Sequence, residues 1–377
     1  MKKNYDVAVI GAGPAGLSAA IEAEKAGAKT LLIERGNEAG GILPQCIHNG
    51  FGSVIFKKDL PGPAYAREFI TRAREMNIDT LFDTMALDIT PCRKIYATNS
   101  NEGFMEINTR AIVLAMGCRE RTRSQIKIPG TRPAGVYTAG MVQRLVNIEG
   151  FMPGKEFVIL GSGDIGMIMA RRLTLEGARV IKVVELLPYL TGLRRNYVQC
   201  LLDFSIPLEL STTINSINGK NRVESVETVK TGPDLKPIPG TEETIPCDSL
   251  LLSVGLIPEN ELSKKAGIEI DPLTGGPFVD DNMATNIPGI FAAGNVVTIY
   301  DLADYVSMAG AKAGRSAAAF AANKSEDTAG FIKIIPGESV RSAVPQKINI
   351  PAKDAGGLTI EIRALREFSS PASVEIK

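Results

Sequence analysis

One glycine signature occurs twice in this chain, 150 positions apart, and it dictates most of what the chain can fold into. The first copy reads Asp6-Val-Ala-Val-Ile-Gly11-Ala-Gly13-Pro14-Ala15-Gly16 and closes with Thr30-Leu-Leu-Ile-Glu34-Arg35. The second reads Phe157-Val-Ile-Leu-Gly161-Ser-Gly163-Asp164-Ile165-Gly166 and closes with Val180-Ile-Lys-Val-Val-Glu185. Each is an apolar strand, a glycine turn, a helix of small and apolar residues, a second strand and a terminal acid. A lone G-x-G-x-x-G is a weak signal. Two copies, each with a strand before, a helix after and an acid at the ribose spacing, make a strong one. Gly11 and Gly161 permit the tight turn, Gly13 and Gly163 let a pyrophosphate approach bare backbone, and Gly16 and Gly166 let helix and strand pack closely. The phosphates would meet free N–H groups at the positive end of a helix. Glu34 and Glu185 are placed to accept hydrogen bonds from a ribose diol.

The chain is long enough for roughly two to three domains, and its 44% hydrophobic content suits ordinary cores. With 42 basic and 42 acidic residues and no basic block, nucleic acid is not an expected partner. The apolar runs are strand-sized, so no membrane span is expected, and the start runs straight into the first strand, which points to the cytoplasm. The five cysteines, Cys46, Cys92, Cys118, Cys200 and Cys247, form no C-x-x-C pair. That excludes a local redox dithiol and a standard iron–sulfur cluster, and with a single histidine, His48, no metal site is expected. Cys92, Cys200 and Cys247 read as small buried hydrophobes.

Along the chain, residues 14–26 and 62–76 read as helices, and residues 81–89, 94–98 and 104–108 as a β-meander. Residues 111–117 read as a buried strand ending at Gly117. Pro129, Gly130 and Pro133 mark a linker, and residues 193–204 read as a helix. The strand of residues 249–255 ends at Gly255 and echoes the Gly117 strand, so the duplication extends over the whole domain. Residues 284–295 then form a strand ending at Gly294, before a helix over 302–322. From Phe331 the pattern alternates without a helical period, as in a small β appendage.

These motifs resemble the two-dinucleotide-binding-domain flavoproteins, the group of thioredoxin reductase and other pyridine nucleotide–disulfide oxidoreductases. Three stretches resemble a narrower set: Gly41-Ile-Leu-Pro-Gln-Cys46-Ile-His48-Asn-Gly-Phe-Gly52, Cys118-Arg119-Glu-Arg121-Thr-Arg123, and Gly294-Asn295 through Val306. That set comprises the FAD/NAD(P) subunits linked to glycerol-3-phosphate and 2-hydroxyglutarate dehydrogenases, and the alpha subunits of dye-linked proline dehydrogenase and opine oxidase. The resemblance implies an α/β chain of two Rossmann-like three-layer domains, the second inserted in the first, with a small C-terminal β appendage. The expected limits are 1–118 with 285–325 for a split FAD domain, 119–284 for an NAD(P) domain and 326–377 for the appendage. FAD would be held by Gly11, Gly13, Pro14, Ala15, Gly16, Glu34, Arg35, Gly41, Gly117, Gly294 and Asn295. NAD(H) would be held by Gly161, Gly163, Asp164, Ile165, Gly166, Glu185 and Gly255. Asn295 stands where the group usually has Asp, so that position keeps hydrogen bonding and loses a negative charge.

The group's disulfide reductases carry two cysteines beside the flavin, and residues 136–143 here contain none. Electrons would leave by another route, to a partner FAD-dependent dehydrogenase subunit or a small electron carrier within a hetero-oligomer. Cys46 and His48 are the catalytic candidates, with loop packing as the plainer reading. Arg119, Arg121 and Arg123 form either a solvated linker face or an anion or docking site. Glu185, followed by Leu186 and Leu187, favours NADH over NADPH, and Arg194 and Arg195 are the nearby cations that a 2′-phosphate would need. The residues leave open a flavin-bearing scaffold with a nucleotide site that does not turn over, and a stand-alone NADH oxidase or ferredoxin reductase.

Overall fold

The computed structural model describes residues 2–324, 330–350, 358–366, 368 and 370–375. By contact the chain divides into two units: Met1–Pro44, Asn49–Cys118 and Pro258–Lys377 form one, and Gln45–His48 with Arg119–Ile257 form the other.

The first unit is built on a seven-stranded sheet, ordered Asp79–Leu81, Thr30–Ile33, Lys2–Ile10, Gly103–Leu114, Lys94–Asn99 and Met85–Ile89, with Ile290–Ala292 also on Gly103–Leu114. Val7, Ala8, Val9 and Ala111 through Leu114 are fully buried, as expected of parallel strands covered on both faces. The expected third meander strand and the buried strand at 111–117 are one twelve-residue strand. Its first half pairs antiparallel with Lys94–Asn99 and its end pairs parallel with Ile290–Ala292. The meander therefore extends the nucleotide-binding sheet. Helices Pro14–Lys25 and Ala303–Ala321 cross closely, because Gly310 faces Ala15 and Gly314 faces Ala19 without side chains between the backbones.

The expected return to this unit at residue 285 is corrected to Pro258. Ala266, Ile268, Val279 and Met283 all enter the first unit's core, and Lys265 Nζ donates to the Leu87 carbonyl at 3.1 Å. The appendage is also part of this unit. Gln346 exchanges backbone and side-chain hydrogen bonds with Val279 and donates to Asp271, while Asn349 donates to Asp280 and Asp281. Val344 reaches the core. The expected junction at residues 325 and 326 lies outside the described residues.

The second unit has a five-stranded parallel sheet, ordered Val136–Thr138, Ser249–Leu252, Glu156–Leu160, Arg179–Val184 and Leu208–Glu209. One face packs Val142 and Leu173 from helices Ala139–Asn147 and Asp164–Leu175. The other packs Ile217, Val226 and Ile245 from the antiparallel strands Thr212–Asn218, Ser225–Lys230 and Glu243–Pro246. This gives the expected three layers.

Candidate functional site

In the first unit the turn after strand Lys2–Ile10 has the geometry that its glycines imply. Gly11 has φ 102°, and a Cβ there would lie 2.9 Å from the Ala115 carbonyl carbon. One on Gly16 would lie 2.8 Å from the Gly11 carbonyl carbon. Gly13 caps helix Pro14–Lys25 and no side chain bonds to that helix end, which suits a phosphate. Glu34 accepts the Ala12 N–H on Oε2 and the Gly36 N–H on Oε1, both at 2.8 Å. A carboxylate has about four acceptor positions, so two remain for a ribose diol. Arg35 is exposed beside it. Gly41, at φ 60°, crosses Gly13 so closely that a Cβ would meet the Gly13 Cα at 2.9 Å. The backbone cradle fits the ADP half of FAD.

Gly294 joins this cradle, since a Cβ there would stand 2.8 Å from Ala15 Cβ. Asn295 Oδ1 accepts the Tyr300 N–H at 3.2 Å, and Nδ2 donates to Cys118 Sγ at 3.5 Å. Gly117, at φ 71°, precedes that cysteine. The loop ending at Gly52 is tied to the same region by Asp304, which is fully buried and accepts the Gly52 and Ile55 N–H groups at 3.0 and 2.9 Å. The appendage holds the stretch after Asn295 as well: Arg363 donates to the Ile299 carbonyl and to Asp301. Glu361 bonds to Tyr300, and burial, with Asp301 nearby, pushes its carboxyl up to about 7.

The second unit repeats the turn. Gly161 has φ 103°, and a Cβ there would lie 2.8 Å from the Ser253 carbonyl carbon. Gly163 caps helix Asp164–Leu175, again with no side-chain cap. Glu185, only 5% exposed, accepts four donors. Oε2 takes the Ser162 N–H at 2.8 Å, the Ser162 hydroxyl at 2.7 Å and the Thr191 hydroxyl at 3.2 Å, and Oε1 takes the Leu187 N–H at 3.0 Å. Asp164 Oδ1 accepts from Leu193 N and Asn196 Nδ2. Gly192 lies over the helix start, where a Cβ would meet Asp164 N at 2.9 Å. Ile165 is half-buried behind the turn, and Gly255, at φ 97°, is exposed. A groove of ≈ 730 Å³ opens by strands Val136–Thr138 and Ser249–Leu252, lined by Lys127, Arg132, Tyr137, Thr138 and Met141. A smaller cavity of ≈ 330 Å³ in the first unit, lined by Tyr5, Lys29 and Arg110, includes none of the turn glycines.

Cys46 does not have the surroundings of a redox thiol. It is buried, donates to Gln143 Oε1 at 3.7 Å, and burial pushes its thiol up to about 12. Gln45 donates to the Gly140 carbonyl and to Gln143, and Asn147 donates to the Gln45 carbonyl, so this segment is packed against helix Ala139–Asn147. His48 is half-buried in the same segment. All five cysteines are free thiols. Cys92, expected inside, is exposed because it sits in the turn between strands Met85–Ile89 and Lys94–Asn99. Arg123 is committed to structure: its guanidinium donates to the carbonyls of Ile128, Pro129, Gly130 and Thr131. Among the described residues no cluster could hold a metal ion, and no helix is long and apolar enough to cross a membrane.

Sequence reasoning missed Ser162, Thr191 and Gly192. Their signal was the duplication itself: Gly192 follows Glu185 by seven positions, as Gly41 follows Glu34. It also missed Gly310 and Gly314, whose spacing of four puts both on one helix face.

A family model described as pyridine nucleotide-disulphide oxidoreductase matches residues 5–322. A thioredoxin reductase of Listeria innocua is 28% identical over 301 residues, covering 78% of this chain and 86% of that protein. One subunit of the opine oxidase of Agrobacterium tumefaciens is 26% identical, covering 77% of this chain and 61% of its own length. The crystal structure of T. acidophilum thioredoxin reductase superposes with a TM-score of 0.70 at 23% identity, covering 84% of this chain and 98% of that one, a likeness of fold.

Proposed function

The chain belongs to the pyridine nucleotide-disulphide oxidoreductase family, whose cofactors are FAD and NAD(P)H, and on that premise we propose an electron-relay subunit. It would pass electrons between NAD(H) and a partner FAD-dependent dehydrogenase subunit or small carrier, in a hetero-oligomer and without a thiol relay. The observation that carries this reading is the state of the cysteines. Helix Ala139–Asn147, ahead of the second signature, has none, and the Cys46 thiol packed against it is held protonated by burial.

The residue roles follow from the two cradles. Gly11, Gly13, Gly16, Gly41 and Gly294 would position FAD, with Glu34 accepting its ribose. Gly161, Gly163 and Gly166 would position the nicotinamide nucleotide on Glu185. The groove at Tyr137 and Met141 would take the nicotinamide end, since ligands of such sheets bind beyond the carboxyl ends of the strands. Bound FAD supplies two-electron acceptance from NADH and onward transfer; the protein supplies placement and exclusion of water. The Glu185 carboxylate would repel a 2′-phosphate, so NADH should outperform NADPH.

The test uses the FAD-loaded chain. NADH should bleach the flavin band at about 450 nm and support turnover with an artificial dye, but not with an aromatic disulfide. Robust disulfide reduction by the wild type would overturn the thiol-free reading, and its loss in Cys46→Ser would identify Cys46 as the relay. Faster bleaching by NADPH would overturn the nucleotide preference and direct attention to Arg194 and Arg195. A chain that binds NADH yet never bleaches would be the scaffold.

A further inference from the structure

The two acids that close the duplicated motif are not equivalent. Glu34 has one backbone donor on each oxygen. Glu185 keeps the same two backbone bonds, from Ser162 N in place of Ala12 N and Leu187 N in place of Gly36 N, and adds two hydroxyls on Oε2. The hydroxyls belong to one connected set: Ser162 Oγ lies 3.1 Å from Thr191 Oγ1 and accepts the Thr191 N–H at 3.1 Å. Ser162 is fully buried, whereas Thr191 is exposed.

We propose that the Ser162 and Thr191 hydroxyls stand in for a ribose diol on Glu185 while the second site is empty, and are displaced when an adenine nucleotide binds. This rests on the reading of the second turn as a nucleotide site. Burying an ionised carboxylate without donors is costly, and Glu185 is far more buried than an acid waiting for a ligand needs to be. With four donors it is stable unliganded. A ribose can reach the one acceptor position left on Oε1, but three donors crowd Oε2, so engaging both its hydroxyls requires the exposed Thr191 to give way and the Ser162 hydroxyl to turn aside. The exchange replaces hydroxyl by hydroxyl, so the nucleotide gains less at Glu185 than it would at an open acid. Glu34 has no such substitute and keeps its acceptors for a ligand that stays. The same motif is thereby set for a resident dinucleotide in one unit and an exchanging one in the other. Thr191 is a positioning residue in this account, acting on the ligand through Glu185.

The experiment titrates the FAD-loaded full chain calorimetrically with ADP and with 2′,3′-dideoxy-ADP, which lacks the diol. Thr191→Val is nearly isosteric and removes only the hydroxyl. It should tighten ADP roughly tenfold, because a hydrogen bond to a charged group no longer has to be exchanged, and leave dideoxy-ADP unchanged. Thr191→Ser should match the wild type, and Ser162→Ala should shift in the direction of Thr191→Val. Unchanged or weaker ADP binding in a folded Thr191→Val overturns the proposal, as does equal tightening for both ligands. If Thr191→Val does not fold, Ser162→Ala decides by the same pair of ligands. A wild type that binds neither ADP nor NADH removes the nucleotide reading itself, a result distinguishable from normal binding with no response to the variants.

Discussion

Adding one methyl group at Gly310 tests whether the helix crossing in the first unit positions the FAD cradle. A Cβ there would lie 2.7 Å from both the Ala15 Cα and its carbonyl carbon, where ordinary contacts begin at 3.4 Å. Helices Pro14–Lys25 and Ala303–Ala321 would have to part by more than the ~0.7 Å that these carbons need, because the Ala15 carbonyl oxygen lies closer still, and overpacking this tight falls in the upper part of the usual range, ~2–3 kcal/mol. Alanine recovers about 1 kcal/mol of helix propensity over glycine, so the net loss should be ~1–2 kcal/mol. For a unit of this size that lowers the melting temperature by roughly 2–8 °C. Gly314→Ala is the control, because its Cβ would meet the Ala19 Cα at 2.7 Å, one turn further from the phosphate end. Both variants should lose similar stability, measured by thermal unfolding of the flavin-free chain. Only Gly310→Ala should also lose bound FAD, measured by released flavin, because Ala15 is in the turn that the cofactor would contact. Equal flavin loss in the two variants, or none in Gly310→Ala despite a lower melting temperature, would refute the coupling between the crossing and the cradle.

The appendage should loosen with rising pH. Glu361, which bonds to Tyr300 and lies near Asp301, has its carboxyl raised by burial to about 7, above its unfolded value of about 4.3. The folded state holds the extra proton between those values, so its contribution is full below the lower one and is lost as pH rises through the upper one. Proteolytic cleavage in residues 358–375 should increase between pH 5.5 and 8 in the wild type and not in Glu361→Gln; the same slope in both would remove Glu361 as the cause. Thiol labelling of the native chain at pH 8 should modify Cys92 and spare Cys46, and rapid Cys46 alkylation without unfolding would contradict the buried, protonated thiol.

The glycine turns, their helices and their acids were legible because each is decided within about thirty residues by steric rules that act on the backbone. The same locality explains what was not. Ala266, Ile268, Val279 and Met283 follow no period, so nothing in their spacing assigned them to the first unit's core, and the boundary was read at 285 and not at 258. Gln346 and Asn349 dock the appendage through buried polar groups, and a buried amide looks like a surface amide in sequence. Cys46 could be flagged but not judged, since its thiol depends on burial against Gln143, 97 positions away.

The duplicated motif shows how far a local rule extends toward function. G-x-G-x-x-G and a closing acid specify where a dinucleotide can lie, and both copies satisfy that requirement with nearly the same backbone bonds to Glu34 and Glu185. They do not specify how many acceptors the acid has left. That number depends on Ser162, inside the motif, and on Thr191, 29 positions later in a loop that returns over the turn. In the first unit the corresponding loop brings Gly40 and Gly41, which have no side chain to offer. The difference in free acceptor capacity between two otherwise matched sites therefore comes from residues that the motif treats as variable, and it is there that a resident cofactor and an exchanging one can be told apart.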